Sequence, residues 1–183
     1  KKNPVDLIFI VDVSGSMSGD KIQLVKDSLK YISNLMNEND RLAIVTFSSS
    51  ASLIAPLTYM TQENKVRLIE VIEKLFDGGG TNIYSGIEKA LPLLREDYSS
   101  GNRTASMILL SDGYDNYNYR VLDKIQTLLE SEEKKNITFT LHTFGYGSSH
   151  DSELMKNIAK IKSGGYFPIK VLTDIQDAYL TIS

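Results

Sequence analysis

Two hydrophobic periods alternate along this chain. Short apolar runs rich in β-branched residues occupy Val5 to Val11, Arg41 to Phe47, Ala105 to Ser111, Ile137 to Phe144 and Tyr166 to Val171. Near-continuous apolarity over so short a length predicts strands buried on both faces. Between them, apolar residues recur at helical spacing. Ile22, Val25, Leu29, Ile32 and Met36 predict a first helix, with Asp20 as its cap and Asn37-Glu38-Asn39-Asp40 as its end. Val66, Ile69, Ile72 and Leu75 predict the buried face of a second, capped by Thr61. Ile87, Ala90, Leu91 and Leu94 predict a third over Tyr84 to Arg95, which Pro92 should kink or shorten. Val121, Ile125, Leu128 and Leu129 mark a fourth, Leu154, Ile158 and Ile161 a short fifth, and Ile175 to Ile182 a last. Ser52 to Leu57 is brief and carries Pro56 near its end, which assigns it to a sheet edge.

Strands alternating with helices predict an α/β fold, a mostly parallel sheet with helices on both faces. The 183 residues suit one domain spanning the whole chain, 1–183. In such open sheets, ligands bind beyond the carboxyl ends of the strands, where the strand order reverses. Three segments are predicted to meet there. Asp12-Val13-Ser14-Gly15-Ser16 follows the first strand, Thr81 follows Gly78-Gly79-Gly80, and Asp112 follows Met107 to Ser111.

The chemistry of these segments is that of oxygen. Asp12, Ser14 and Ser16, at every second position, can face one point if the backbone curls around it. With Thr81 and Asp112 they offer two carboxylates and three hydroxyls, without Cys or His. That inventory suits Mg²⁺, with Mn²⁺ or Ca²⁺ as alternatives. Neutral hydroxyls do not cancel the ion's charge, so a carboxylate from a partner protein could replace one of its waters.

Composition narrows the other classes. Apolar residues make up 42% and charged residues 23%, as in globular domains. The net charge is −3, with Lys and Arg scattered, which argues against a nucleic-acid partner. No apolar run approaches the roughly 20 residues that span a bilayer, so membrane insertion is not expected. There is no cysteine, hence no disulfide or thiolate metal site. Lys1-Lys2-Asn3-Pro4 leads almost directly into the first strand without a signal-peptide pattern, so a module of a longer protein is expected. Asn102-Arg103-Thr104 and Asn136-Ile137-Thr138 are formal glycosylation sequons. Nothing in the chain fixes a compartment.

Competing chemistries fit less well. The glycine run lacks the Gly-Lys-Ser/Thr ending of a phosphate loop, and Ile83 stands where a dinucleotide fingerprint needs glycine. Asp12 could serve as the nucleophile of a haloacid-dehalogenase-like phosphatase. That chemistry needs a second carboxylic acid two residues on, where Ser14 stands, so no enzyme activity is expected. His142 reads as a packed or solvent-facing strand residue, and His150 as a loop residue able to cap the next helix. Tyr114, Tyr117 and Tyr119 read either as ordinary loop aromatics or as a contact rim beside the ion, since tyrosine favours interfaces.

These segments carry a resemblance. Asp12-Val13-Ser14-Gly15-Ser16, Gly80-Thr81-Asn82 and Ser111-Asp112-Gly113 are similar, in order and context, to the metal-ion-dependent adhesion site of von Willebrand factor A domains. The resemblance covers nearly the whole chain. Pro4-Val5-Asp6-Leu7, Asn39-Asp40-Arg41-Leu42, Gly79 to Ile83, Ile108 to Gly113 and His142 to Gly147 with His150-Asp151 resemble the subgroup joined to RING zinc fingers in eukaryotic proteins, which tilts expectation toward an intracellular setting. The resemblance implies a Rossmann-like doubly wound sheet with one antiparallel edge strand. It implies that Ser14, Ser16 and Thr81 coordinate the ion, with Asp12 and Asp112 acting through water. It further implies a non-enzymatic module that binds a protein presenting Asp or Glu, in which Thr81 shifts on binding and the last helix can move with it. A scaffold in which the ion is purely structural remains the alternative.

Overall fold

The computed structural model describes residues 3–95, 103–117, 119–133 and 138–182. Both sequon asparagines, and Ile137 at the start of the expected fourth apolar run, lie outside the described residues. Six strands form one sheet in the order β3-β2-β1-β4-β5-β6: β1 Val5–Asp12, β2 Arg41–Phe47, β3 Ala51–Tyr59, β4 Thr104–Ser111, β5 Thr140–Tyr146 and β6 Tyr166–Ile169. All neighbours run parallel except β2 and β3, so the edge strand is antiparallel. Among the described residues six helices cover it: α1 Asp20–Leu35, α2 Gln62–Glu73, α3 Ile83–Ala90, α4 Val121–Glu133, α5 Ser152–Ile161 and α6 Leu172–Ile182. None among the described residues is long and apolar enough to cross a membrane.

The strand period of two divides the core into two layers. On β1, Leu7, Phe9 and Val11 face α1, α2 and α6, meeting Leu29, Ile32, Leu68, Ile72 and Ile175. Ile8 and Ile10 face α3, α4 and α5, meeting Ile83, Ile87, Ile125 and Ile158. β1 and β4 are central, buried on both sides, which is why their sequences are near-continuous apolar runs rather than alternating ones.

Several boundaries differ from expectation. Asp20 does not cap α1: Gly19 holds the N-cap position and Asp20 is the first helical residue. There its carboxylate still complements the positive end of the helix dipole. Val66 is exposed rather than buried, and Leu68 takes its place on the core face. α2 lies over α1 and the edge strand β3, so only the Leu68–Ile72–Leu75 stripe is covered. Thr61 does cap α2, accepting from Asn64 N at 3.2 Å. Pro92 shortens α3 to Ala90, after which Leu91–Arg95 continues as a 3₁₀ turn. β5 runs later than expected, through Gly145 and Tyr146, β6 ends earlier, at Ile169, and α6 begins earlier, at Leu172.

Candidate metal centre

The strand order reverses between β1 and β4: the chain leaves β1 for β2 on one side and later returns to β4 on the other. The cleft at their carboxyl ends is where Asp12, Ser111 and Asp112 emerge. Asp12 is the last residue of β1 and wholly buried. Val13 N still bonds Phe47 O at 2.9 Å, and the chain then curls through a 3₁₀ turn, Gly15–Met17. The curl brings the Ser14 and Ser16 hydroxyls within 3.0 Å of each other. Ser14 N donates to Asp12 Oδ1 at 2.9 Å, and Ser111 Oγ donates to Asp12 Oδ2 at 2.6 Å. Ser111 Oγ in turn accepts from Gly113 N at 2.9 Å.

Asp112 is equally buried. Its Oδ1 accepts from Tyr114 N at 3.1 Å, and its Oδ2 accepts from Lys21 Nζ at 3.1 Å. The same ammonium donates to the Ser16 carbonyl at 3.1 Å.

The glycine-rich loop is stitched to both other segments. Gly15 N donates to Gly79 O at 2.9 Å and Gly78 N to Val13 O at 2.8 Å. Thr81 N donates to Asn116 Oδ1 at 2.6 Å, and Asn116 N returns a bond to Thr81 O at 2.9 Å. Thr81 is buried, and Asn82 caps α3 by accepting from Ser85 N at 3.2 Å. Asp115 Oδ2 accepts from Ile83 N at 2.9 Å, tying the segment after β4 to the same helix start. The three predicted segments therefore converge, and all five candidate residues lie on the one rim.

Burial dominates the electrostatics. It pushes the Asp12 carboxyl up to about 6 against the hydrogen bonds from Ser111 and Ser14, and the nearby Asp112 charge adds to the rise. A carboxylate so placed is favoured by any cation brought beside it. The donor set fits a hard divalent ion on two counts. It is made of oxygens alone, and its rim already takes a positive charge, the Lys21 ammonium, on Asp112 Oδ2 and a backbone carbonyl.

The remaining candidates settle as follows. His142 is buried, its Nδ1 accepting from Gly165 N at 2.9 Å, and burial lowers its pKa. His150 does not cap α5. Asp151 does, accepting from Leu154 N at 3.1 Å. The His150 ring bonds instead to Gly147 O at 2.6 Å and to the Tyr166 hydroxyl. Tyr114, Tyr117 and Tyr119 are exposed on the segment leaving Asp112. A hollow of about 350 Å³ lies between the start of α4 and the start of α5, lined by Arg120, Leu122, Asp151 and Leu154 among others.

Sequence reasoning missed Lys21, Ser111, Asp115 and Asn116. Lys21 reads as an ordinary solvated helix residue. The other three stand in Ser111-Asp112-Gly113-Tyr114-Asp115-Asn116, where polar density was the available signal. Among the described residues no three His, Cys, Asp or Glu cluster together, because this rim relies on hydroxyls.

Residues 6–179 match the von Willebrand factor type A domain. Over 173 residues the chain is 29% identical to the Escherichia coli uncharacterized protein YfbK, covering 93% of this chain and 29% of that protein. Over 114 residues it is 36% identical to the Arabidopsis thaliana E3 ubiquitin-protein ligase WAV3, covering 62% of this chain and 15% of the ligase. The chain thus spans less than a third of either relative. The structure superposes on proximal thread matrix protein 1 from the mussel byssus, solved with a zinc-occupied MIDAS motif. That match has a TM-score of 0.75 and 22% identity, over 99% of this chain and 46% of that one.

Proposed function

The chain belongs to the von Willebrand factor type A domain family, and on that footing we propose that it is a divalent-metal-dependent protein-binding module. Ser14, Ser16 and Thr81 would hold the ion directly, with Asp12 and Asp112 acting on its water shell. The observation that carries this reading is the convergence of two buried carboxylates and the paired Ser14–Ser16 hydroxyls at the switch point of the sheet. The ion, when bound, supplies an electrophilic coordination position. Everything else is done by the chain. Ser111 Oγ and Ser14 N orient the two oxygens of Asp12, and Tyr114 N orients Asp112. Asn116 bonds both the N–H and the carbonyl of Thr81.

Mg²⁺ is the ion proposed, because Mg²⁺ retains waters and accepts few protein oxygens. The zinc reported in the mussel protein's MIDAS makes a second divalent ion a sensible comparison. The partner is proposed to present Asp or Glu to the ion, flanked by the exposed Tyr114, Tyr117 and Tyr119. Gly79, at φ +85°, holds a backbone state that other residues resist, and the glycine run is proposed as the hinge about which Thr81 shifts, against its bonds to Asn116, as a partner carboxylate arrives. Coupling of that movement to α6 rests on the family resemblance alone. The likeness to a ubiquitin ligase supports a role in assembling such enzymes on their substrates. No reaction is proposed at this rim.

Calorimetric titration with Mg²⁺ and Mn²⁺ tests the ion. Saturable heat is expected from the parent and none from an Asp12→Ala, Asp112→Ala variant. Equal heats from both would refute the reading.

A further inference from the structure

We propose that Lys21 is a tethered counter-cation of this centre: its ammonium holds Asp112 in the metal-free protein and is displaced when a divalent ion is loaded. This rests on the metal-binding reading above and goes beyond it, since it says what sets the affinity.

Four observations converge on Lys21. Both of its acceptors, Asp112 Oδ2 and the Ser16 carbonyl, belong to segments proposed to surround the ion. Asp112 Oδ1 is already engaged by Tyr114 N, so Oδ2 is the oxygen facing a cation. The carboxylate is fully buried and the lysine side chain only 28% exposed, so solvent screens the pair incompletely. The path of the lysine stem is kept clear by Gly147, where a Cβ would lie 2.6 Å from Lys21 Cε and φ is +100°.

Helix stability does not explain this placement. Lys21 is the second residue of α1, at the end where the helix dipole disfavours a positive charge. Its contact with Asp112 offsets that disadvantage, and the contact exists only while Asp112 Oδ2 is free of another cation. A hydrated divalent ion held by Ser14 and Ser16 would draw on that same oxygen to balance its charge. The two cations then compete for one carboxylate, and the lysine has the advantage of being tethered.

A merely structural lysine predicts one sign and a competitor the other. Removing a structural contact loosens the rim and weakens metal binding. Removing a competitor strengthens it. The experiment is Mg²⁺ titration calorimetry on the parent, Lys21→Met, Lys21→Gln and Lys21→Arg, each checked for folding by circular dichroism. Met keeps the length of the four-atom stem without its charge, and Gln gives a shorter, neutral polar side chain; both are expected to bind Mg²⁺ about five- to tenfold more tightly. Arg keeps the charge and is expected to stay near the parent. Unchanged or weakened binding in Lys21→Met and Lys21→Gln would overturn the competition while leaving the metal site standing. No heat from parent or variants would overturn the metal reading, and this inference with it.

Discussion

On the proposed metal-binding reading, proton and metal compete for Asp12, and the strength of that competition is set by how deeply the carboxyl is buried. Burial raises its pKa from the ordinary 3.8 to about 6, which is worth about 3 kcal/mol. Because the folded value lies above the unfolded one, folding favours the protonated carboxyl between those two pH values. The metal-free protein therefore loses up to about 3 kcal/mol from this group as pH rises from about 4 to above 6. A bound ion recovers that loss by neutralising the carboxylate. At about pH 5 only about one molecule in ten carries Asp12 ionised, so Mg²⁺ should bind about tenfold more weakly than at about pH 7.5. Calorimetry in two buffers of different ionisation enthalpy reads both the affinity and the proton released on binding. In chelator at about pH 7.5, Asp12→Asn should melt above the parent, with about 3 kcal/mol as the upper bound and no gain near pH 3.5. The upper bound applies because an amide cannot accept from both Ser14 N and Ser111 Oγ as the carboxylate does. A Mg²⁺ affinity that is flat from about pH 5 to about pH 7.5 would refute the reasoning, as would an Asp12→Asn variant less stable than the parent in chelator.

At the opposite end of the sheet, Asp6 accepts from Arg41 Nε at 2.9 Å, Arg41 Nη2 at 2.7 Å and Arg103 Nε at 2.9 Å, largely away from water. Asp6→Ala should cost about 3–5 kcal/mol in urea unfolding, because both guanidinium groups lose their shared carboxylate. Burial alone would raise the Asp6 pKa, but the hydrogen bonds and charges of Arg41 and Arg103 outweigh it and hold it below the usual carboxylate value. Its stabilisation is therefore full above the ordinary carboxylate range and lost as pH falls through the lowered value, and an acid melt that Asp6→Asn does not blunt would count against this. Thr81→Ala should abolish or strongly weaken chelator-sensitive partner binding while leaving the urea midpoint near the parent's, and binding that survives both treatments would place the interface elsewhere. Leu29→Ala, in the layer between α1 and β1, should cost about 2–5 kcal/mol by urea unfolding.

Local patterns were enough for the order of the elements and for naming the candidate donor residues. Near-continuous apolar runs at Val5 to Val11 and Ala105 to Ser111 mark strands that must be buried on both faces, which already implies helices above and below. Pro92 shortens α3 because a pyrrolidine cannot donate within a helix, and Thr61 caps α2 through its own hydroxyl. Asp12, Ser14 and Ser16 are drawn together by one curl of backbone, which bonds Ser14 N to Asp12 and brings the two hydroxyls within 3.0 Å, a property of five consecutive residues. Pairing across the sheet has no such local code. That β4 lies beside β1 brings Ser111 onto Asp12 from 99 positions away, and only the strand order decides it. Val66 and Leu68 have equal claims to a buried helix face until α2 docks at the sheet edge, where one of them is left in water. Lys21 is the clearest case. A lysine in the first turn of a helix has the same local pattern whether its ammonium is solvated or bonded to a carboxylate 91 residues on. The bond forms because the fold buries Asp112 within reach of it, and burial is a property of the assembled layers rather than of any stretch of chain.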